Sequence, residues 1–258
     1  MIPHSRRINV FHGERIYYSS GWEDLGTSLN LYKGTDWHQL KPGQAVATST
    51  ITNCYRVSVA DGKSVFFKCY SYHNRRRWRY FLRPAKPTVE VFGYHQLQRL
   101  NIPTLEVVAL GERRWYGCLR SAFVITKGID ETKDLEAYAR CASKDSMIPI
   151  LRQLADQLRV AHAAHFFHQD LHWRNVLISD SSARPIWIDC PRANIFYLSF
   201  RRRHAMIKDI TCLIEPALDW LSVSEKVWLL HIYLGDKYSK QTARHLMNLV
   251  QARIDATR

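Results

Sequence analysis

Apolar and polar positions alternate most sharply from Ala47 to Tyr70. The runs TSTITNCYRVSV and SVFFKCY, joined by ADGK, read as a β-hairpin turned at Asp61-Gly62, since strand side chains repeat every second residue and Asp-Gly suits a tight turn. Over residues 87–100 the period changes. Val89, Val91, Tyr94, Leu97 and Leu100 fall close to one helical stripe, with Glu90 expected in the first turn. The helix is expected to stop at Asn101, and LEVVAL opens another strand. SAFVITKGID reads as a buried strand leaving into a linker. Residues 176–178 and 185–190 (PIWIDC) read as two short strands joined by the turn SDSSAR, a second hairpin. DLEAYA, MIPILRQLADQLRVAHAAHF and the segments from Ile207 onward are amphipathic helices by period. Residues 1–45 hold no period, and only 8–10 and 15–18 suggest short strands. The pattern predicts an α+β chain with a small, sheet-rich first half and a mainly helical second half.

A length of 258 residues, 46% apolar and 23% charged, suits an ordinary globular protein of one large domain or two lobes. The formal net charge of +14 implies attraction to something anionic: nucleic acid, phospholipid or a phosphorylated glycan. No apolar run approaches the roughly 18 residues of a membrane span, and the first residues lack the apolar core of a signal peptide, so a cytoplasmic location is expected. Cys54, Cys69, Cys118, Cys141, Cys190 and Cys212 form no C-x-x-C pair, which argues against a disulfide framework or a zinc site and for reduced thiols.

Candidate chemistry concentrates at HQDLHWRNVLI, residues 168–178. Asp170 and Asn175 are spaced for a loop in which a carboxylate meets a substrate hydroxyl and a carboxamide oxygen faces a metal ion. The hairpin that follows would bring Asp189, at the end of its second strand, to the same point. One carboxylate to orient a hydroxyl, with an Asp and an Asn to hold magnesium, is what phosphoryl transfer from ATP requires. Upstream, Lys68 lies among Phe66, Phe67 and Cys69, where a half-buried ammonium needs an anion. Glu90 fits as that anion, giving the Lys and Glu pair that positions ATP phosphates in kinases.

In this order the segments resemble the lipopolysaccharide core kinases, the heptose and Kdo kinase group of the protein-kinase-like superfamily. STITNCYRV resembles the strand pair over the phosphates, FFKCY the lysine strand, and the stretch from Glu90 to the NIPT step its helix. HQDLHWRNVLI resembles the catalytic loop, WIDCPRA the metal-binding strand, and Lys208-Asp209-Ile210 the aspartate at the head of a C-terminal-lobe helix. The likeness runs from about residue 45 to 250. It implies a bilobal protein-kinase-like fold, with residues 1–127 as the N-terminal lobe (1–45 an extension) and 128–258 as the catalytic lobe. By the same resemblance Asp170 is catalytic, Asn175 and Asp189 hold Mg2+, and Lys68, Glu90, Thr50 and Thr126 serve ATP, Thr126 and Lys127 beginning the adenine hinge. His168 is expected to hold the loop, Asp209 to anchor its backbone, and His172 either to contact the acceptor or a phosphate or to be structural.

Two departures stand out. The first hairpin lacks G-x-G-x-x-G, so backbone N–H groups and the hydroxyls of Thr48, Ser49, Thr50 and Thr52 are expected over the phosphates. Asp-Cys-Pro replaces Asp-Phe-Gly, which removes the glycine hinge of a regulated switch.

Two arginine-rich stretches remain. In residues 72–83, arginines interleave with Trp78, Tyr80 and Phe81, and Arg75, Arg76 and Arg77 are assigned to the acceptor and an anionic membrane surface. FRRRH, residues 200–204, fits a solvated face equally well. No nucleic-acid fold signature accompanies either, so nucleic acid is not an expected partner. The expectation is an ATP- and Mg2+-dependent kinase of an inner-core sugar hydroxyl, heptose or Kdo, peripheral on the inner face of the inner membrane. The alternatives are a kinase of a small metabolite or protein side chain, and a catalytically dead kinase-fold scaffold. Filled polar positions at Lys68, Asp170, Asn175 and Asp189 weigh against the dead fold.

Overall fold

A computed structural model describes residues 1–59, 62–72, 78–179, 183–218 and 220–256, and the chain divides into two units, Met1–His95 with Leu105–Asp130 and Gln96–Thr104 with Glu131–Arg258. The first unit holds β1 (Gly13–Tyr18), α1 (Leu25–Ser28), β2 (Gln44–Thr48), β3 (Thr52–Ser58), β4 (Ser64–Ser71), most of α2 (Lys86–Arg99), β5 (Val107–Trp115) and β6 (Cys118–Lys127). Its strands form one antiparallel sheet in the order β1-β5-β6-β4-β3-β2. The alternating segment makes the β3–β4 hairpin, with Cys54 opposite Lys68 and Tyr55 opposite Phe67. Of its expected turn, Ala60 and Asp61 lie outside the described residues, while Gly62 takes the φ of +69° that favours glycine. β4 lies between β3 and β6, so its burial is nearly continuous instead of alternating.

Residues 1–45 are part of this core. β1 extends the sheet at β5, and Leu25, Leu29, Leu31 and Trp37 join Phe67, Val108, Phe123 and Ile125 in one apolar cluster. The Trp37 indole is fully buried, edge-on to Phe123 with ring centroids 4.8 Å apart, and the Arg113 guanidinium lies 4.4 Å from its ring. Burying such aromatics stabilises by roughly 1.5–3 kcal/mol each. Residues 8–10 are not a strand: the Val10 N–H turns back to the Ile8 carbonyl at 3.0 Å, and Ile8 serves as a buried anchor. Gly111 is required where it stands, because a Cβ there would lie 2.2 Å from the Phe123 ring.

α2 begins at Lys86, so Glu90 falls in the second turn, not the first, and owes little to the helix dipole. The helix buries Thr88 and Glu90 along with Val89, Val91, Tyr94 and Leu97, a wider face than a single apolar stripe. It ends at Asn101, whose φ of +55° lets the Ile102 N–H cap the Leu97 carbonyl at 2.9 Å.

The second unit contains β7 (Thr132–Asp134), α3 (Leu135–Ala139), α4 (Lys144–Ala163), β8 (Phe166–Phe167), β9 (Val176–Ser179), β10 (Pro185–Trp187), β11 (Asn194–Ile195), α5 (Ser199–Ile214), α6 (Val223–Leu234) and α7 (Lys240–Asp255). Two small sheets, β10-β9-β7 and β11-β8, accompany the helices. The expected β9–β10 hairpin pairs Val176 with Trp187 and Ile178 with Pro185, and residues 180–182 of its turn lie outside the described residues. The segment after α2 is stitched to β10: the Trp187 N–H donates to the Pro103 carbonyl at 2.9 Å and the Thr104 hydroxyl to the Trp187 carbonyl at 2.7 Å. α4 is capped by the Ser143 hydroxyl, which accepts the Ser146 N–H, and buries Met147, Ile150, Leu151, Leu154, Leu158 and Ala161 at helical spacing.

Candidate active site

β8 ends at Phe167 and the chain turns sharply before Asp170. Gln169 makes the turn with φ +64°, a left-handed conformation that a non-glycine residue keeps only when its surroundings hold it. Asp209 holds it. Its buried carboxylate accepts the His168 N–H at 2.9 Å and the Gln169 N–H at 2.6 Å, while the Lys208 ammonium donates to the Gln169 carbonyl. Asp209 is not at the head of its helix but in the third turn of α5, because the arginine-rich stretch 200–204 is itself helical and starts α5 at Ser199. On that stretch Arg202 meets His165 at 2.9 Å and Arg203 meets His245 at 3.4 Å, while Phe200, Arg201 and His204 are exposed.

His168 locks the loop from inside. It is fully buried, which pushes its pKa below the usual 6.5 despite the nearby carboxylates of Asp209, Asp189 and Asp170. The neutral ring accepts the Asp170 N–H on Nδ1 at 3.3 Å and donates from Nε2 to the Ile188 carbonyl at 3.1 Å, which fixes its tautomer. Ile188 in turn donates its N–H to the Asn175 carbonyl at 2.9 Å. The strand end that carries Asp189 is thereby tied to the loop that carries Asp170 and Asn175. Asn175 is buried and donates from Nδ2 to the Asp170 carbonyl at 2.7 Å, which orients the carboxamide and turns Oδ1 away from that bond. Asp189 has φ +54°, a second constrained backbone position in the same constellation.

His172 lies beside Asp170, with Nε2 3.7 Å from Oδ1 and 3.6 Å from Cys212 Sγ, and its side chain is about two-fifths exposed. Burial raises the Cys212 thiol to about 11, so it is a neutral neighbour.

In the first unit the Lys68 ammonium stands 3.4 Å from Glu90 Oε2. Glu90 is almost wholly buried and is further held by the Tyr94 hydroxyl at 2.7 Å and the Tyr70 hydroxyl at 3.4 Å. A buried carboxylate is tolerable only with this degree of satisfaction.

Residues 46–214 match the model of the lipopolysaccharide kinase (Kdo/WaaP) family, well over half of the chain. The chain belongs to that family. As a lipopolysaccharide kinase it is a phosphotransferase with a sugar hydroxyl as acceptor, acting on the lipopolysaccharide core. A solved structure, WaaP in complex with acyl carrier protein, is similar over 94% of this chain and 98% of that one, with a TM-score of 0.67 and 19% identity, which shows a shared fold. No curated protein matches the chain.

Of the remaining expected residues of this lipopolysaccharide kinase, Thr50 and Thr126 belong to the first unit. Thr50 is exposed in the β2–β3 turn, where the Ser49 hydroxyl accepts the N–H groups of Ile51 and Thr52 at 3.2 and 3.0 Å. Those two amides are thus engaged inside the turn. Thr126 is buried within β6, opposite Phe66 and Val107, and the strand continues through Lys127, which pairs with Glu106 at 2.6 Å. Arg75, Arg76 and Arg77 lie outside the described residues. Tyr70, Tyr94, His162 and Tyr233 were not expected as hydrogen-bond partners of the site residues. Tyr94 stands four residues from Glu90 on one helix face and Tyr70 two from Lys68 on one strand face, a periodic signal; His162 and Tyr233 carry no local signal. Among the described residues there is no cluster of three or more His, Cys, Asp or Glu side chains placed to hold a metal ion.

Proposed function

We propose that the protein transfers a phosphoryl group from ATP to a hydroxyl of heptose or Kdo in the lipopolysaccharide inner core. The observation that carries this reading is the constrained turn at Gln169, where the Asp209 carboxylate and the Lys208 ammonium set the backbone that presents Asp170. Asp170 orients the acceptor hydroxyl and accepts its proton at a carboxylate oxygen. Asn175 Oδ1 and the Asp189 carboxylate are hard oxygen donors that fit Mg2+, and these residues are assigned to hold it. When bound, the ion neutralises the charge that develops on the phosphates. Lys68, held by Glu90, is assigned to the phosphates of ATP, with Thr50 and Thr126 as further nucleotide contacts. His172, beside Asp170, is assigned to the acceptor.

The acceptor is anchored in a bilayer, so the enzyme works on the cytoplasmic side at an anionic membrane surface, and Arg75, Arg76 and Arg77 are assigned to that surface. No helix among the described residues is long and apolar enough to cross a membrane.

The test is phosphate incorporation into purified core oligosaccharide, read by mass spectrometry, for the wild type, Asp170→Asn and Asp189→Ala. Loss of such positioning groups is commonly on the order of 10² to 10⁴ in rate. Wild-type turnover by Asp170→Asn would remove Asp170 from the mechanism, and the same result for Asp189→Ala would refute the metal assignment.

A further inference from the structure

Gly117 stands at the tip of the β5–β6 hairpin with φ +78°, and a Cβ there would lie 2.8 Å from the Phe81 ring, 3.1 Å from Leu82 and 3.2 Å from the Phe11 ring. Three segments far apart in sequence therefore meet at one point. The Leu82 N–H donates to the Gly117 carbonyl at 3.1 Å, and the Gly117 N–H to the Phe11 carbonyl at 2.7 Å. Phe11 meets Tyr116 at 6.1 Å between centroids, Tyr116 meets Trp115 at 5.3 Å, and Phe81 meets Trp78 at 6.4 Å. These side chains nonetheless face solvent: Phe11, Trp78, Phe81, Leu82, Trp115 and Tyr116 are 43% to 74% exposed. Apolar side chains exposed singly are ordinary, but a contiguous aromatic patch marks an interaction surface.

The patch is held in place from beneath. Arg114 is buried and donates to the carbonyls of Gly117 at 2.8 Å, Arg83 at 2.6 Å and Tyr80 at 3.2 Å. Its Nε pairs at 2.6 Å with Glu112, which also accepts the Thr88 hydroxyl at 2.7 Å. Leu82 and Tyr116 are kept at φ +51° and +44°, unfavourable for bulky side chains. A buried ion pair and backbone strain thus fix the two loops that present these side chains to water, which folding alone does not favour.

Glu112 beneath the patch is buried and paired, and the exposed charge on the patch itself is basic. Residues 1–13, 71–89 and 113–127 contain no Asp or Glu. Arg79 and Arg83 are exposed within the patch, and the Arg120 guanidinium lies 5.9 Å from the Trp115 ring.

We propose that this face is a membrane-interface anchor that inserts Trp78, Phe81, Leu82, Trp115 and Tyr116 among the headgroups of an anionic phospholipid bilayer, with Arg79, Arg83 and Arg120 on the phosphates. Tryptophan and tyrosine are the side chains that settle at the boundary between water and lipid, and basic exposed charge suits a negative leaflet. The proposal deepens the membrane reading above and rests on it.

The test uses the full chain with vesicles of phosphatidylglycerol and phosphatidylethanolamine, and with pure phosphatidylcholine. The wild type is expected to sediment with the anionic vesicles only, and brominated lipid should quench its tryptophan fluorescence. The triple variant Trp78→Ala, Phe81→Ala, Trp115→Ala should lose at least ten-fold in apparent vesicle affinity and most of the quenching, with an unchanged circular dichroism spectrum because the side chains are exposed. Arg79→Gln with Arg83→Gln and Arg120→Gln should weaken binding and flatten its salt dependence. The proposal falls if the wild type ignores anionic vesicles, if the aromatic variant binds as the wild type does, or if the face is instead occupied by a second copy of the chain or an acidic protein. Phosphorylation of detergent-solubilised core, run in parallel, should survive in the aromatic variant; its absence in the wild type would overturn the kinase reading and leave the vesicle result standing.

Discussion

The Asp209 carboxylate accepts the backbone N–H of Gln169 at 2.6 Å and so holds the residue before Asp170 in a left-handed turn. Asp209→Asn keeps the shape but replaces one acceptor oxygen by a donor facing a backbone N–H. Hydrogen bonds to charged groups contribute about 1.5–3 kcal/mol, and a misplaced reacting group costs on the order of 10²-fold in rate. The variant should therefore unfold at lower denaturant and lose most turnover while its KM for ATP changes little. A stable Asp209→Asn enzyme with normal kcat would mean that the loop needs no such anchor.

A second prediction concerns the support behind Asp209. His162 lies 3.4 Å from Asp209 Oδ2 through Nε2 and 2.8 Å from the Tyr233 hydroxyl through Nδ1; the carboxylate, which can only accept, fixes the proton on Nε2, and the Tyr233 hydroxyl donates to the free Nδ1. Burial raises the Tyr233 pKa and keeps it a phenol. Tyr233→Phe removes one hydrogen bond, about 1 kcal/mol, and should lower stability and kcat together. An effect on stability with none on kcat would confine Tyr233 to the fold.

Lys68, Glu90 and Tyr94 form one polar unit inside an apolar setting. Lys68→Met should raise the KM for ATP sharply, Glu90→Gln less so, and the double variant should cost less than the sum, with a coupling of about 0.5–3 kcal/mol. Tyr94→Phe should act in the same direction as Glu90→Gln but more weakly. Strict additivity of the two charge changes in ATP titrations would show that the pair does not act as a unit.

Acid should destabilise the fold in a defined window. His168, by complete burial, and His95, by burial and by His4 beside it, have pKa values depressed below 6.5, His95 to about 4. A histidine that is neutral when folded binds its proton more readily when unfolded, so its contribution is intact above about pH 6.5 and is lost as pH falls toward the folded value. His95 is only half buried, and its share is reduced by solvent screening. Glu225, held down to about 2 by Lys144 and Ser222, acts mainly below pH 4.5. Thermal unfolding midpoints should thus drop between pH 6.5 and 4, and His95→Gln should flatten part of the slope. A constant midpoint from pH 7.5 to 4.5 would contradict the neutral assignment of His168.

Much of the fold was legible in local periodicity. The β3–β4 and β9–β10 hairpins and the helix carrying Glu90 follow from alternation and helical spacing within single segments. The spacing of Asp170, Asn175 and Asp189 was legible for the same reason, because a hairpin closes over few residues. Tertiary structure decided the rest. Trp37, in a turn with no period around it, is buried because Phe123 of β6 and Arg113 of β5 arrive against it. Asp209 lies 40 residues from Gln169, and the Arg-rich run before it reads as a surface stretch until packing shows one continuous helix. The aromatic face is assembled from residues near positions 11, 80 and 116. Side-chain period is a property of neighbouring residues and can be read from them, whereas which periods meet is set by the register of strands and the packing of helices, which no local pattern contains.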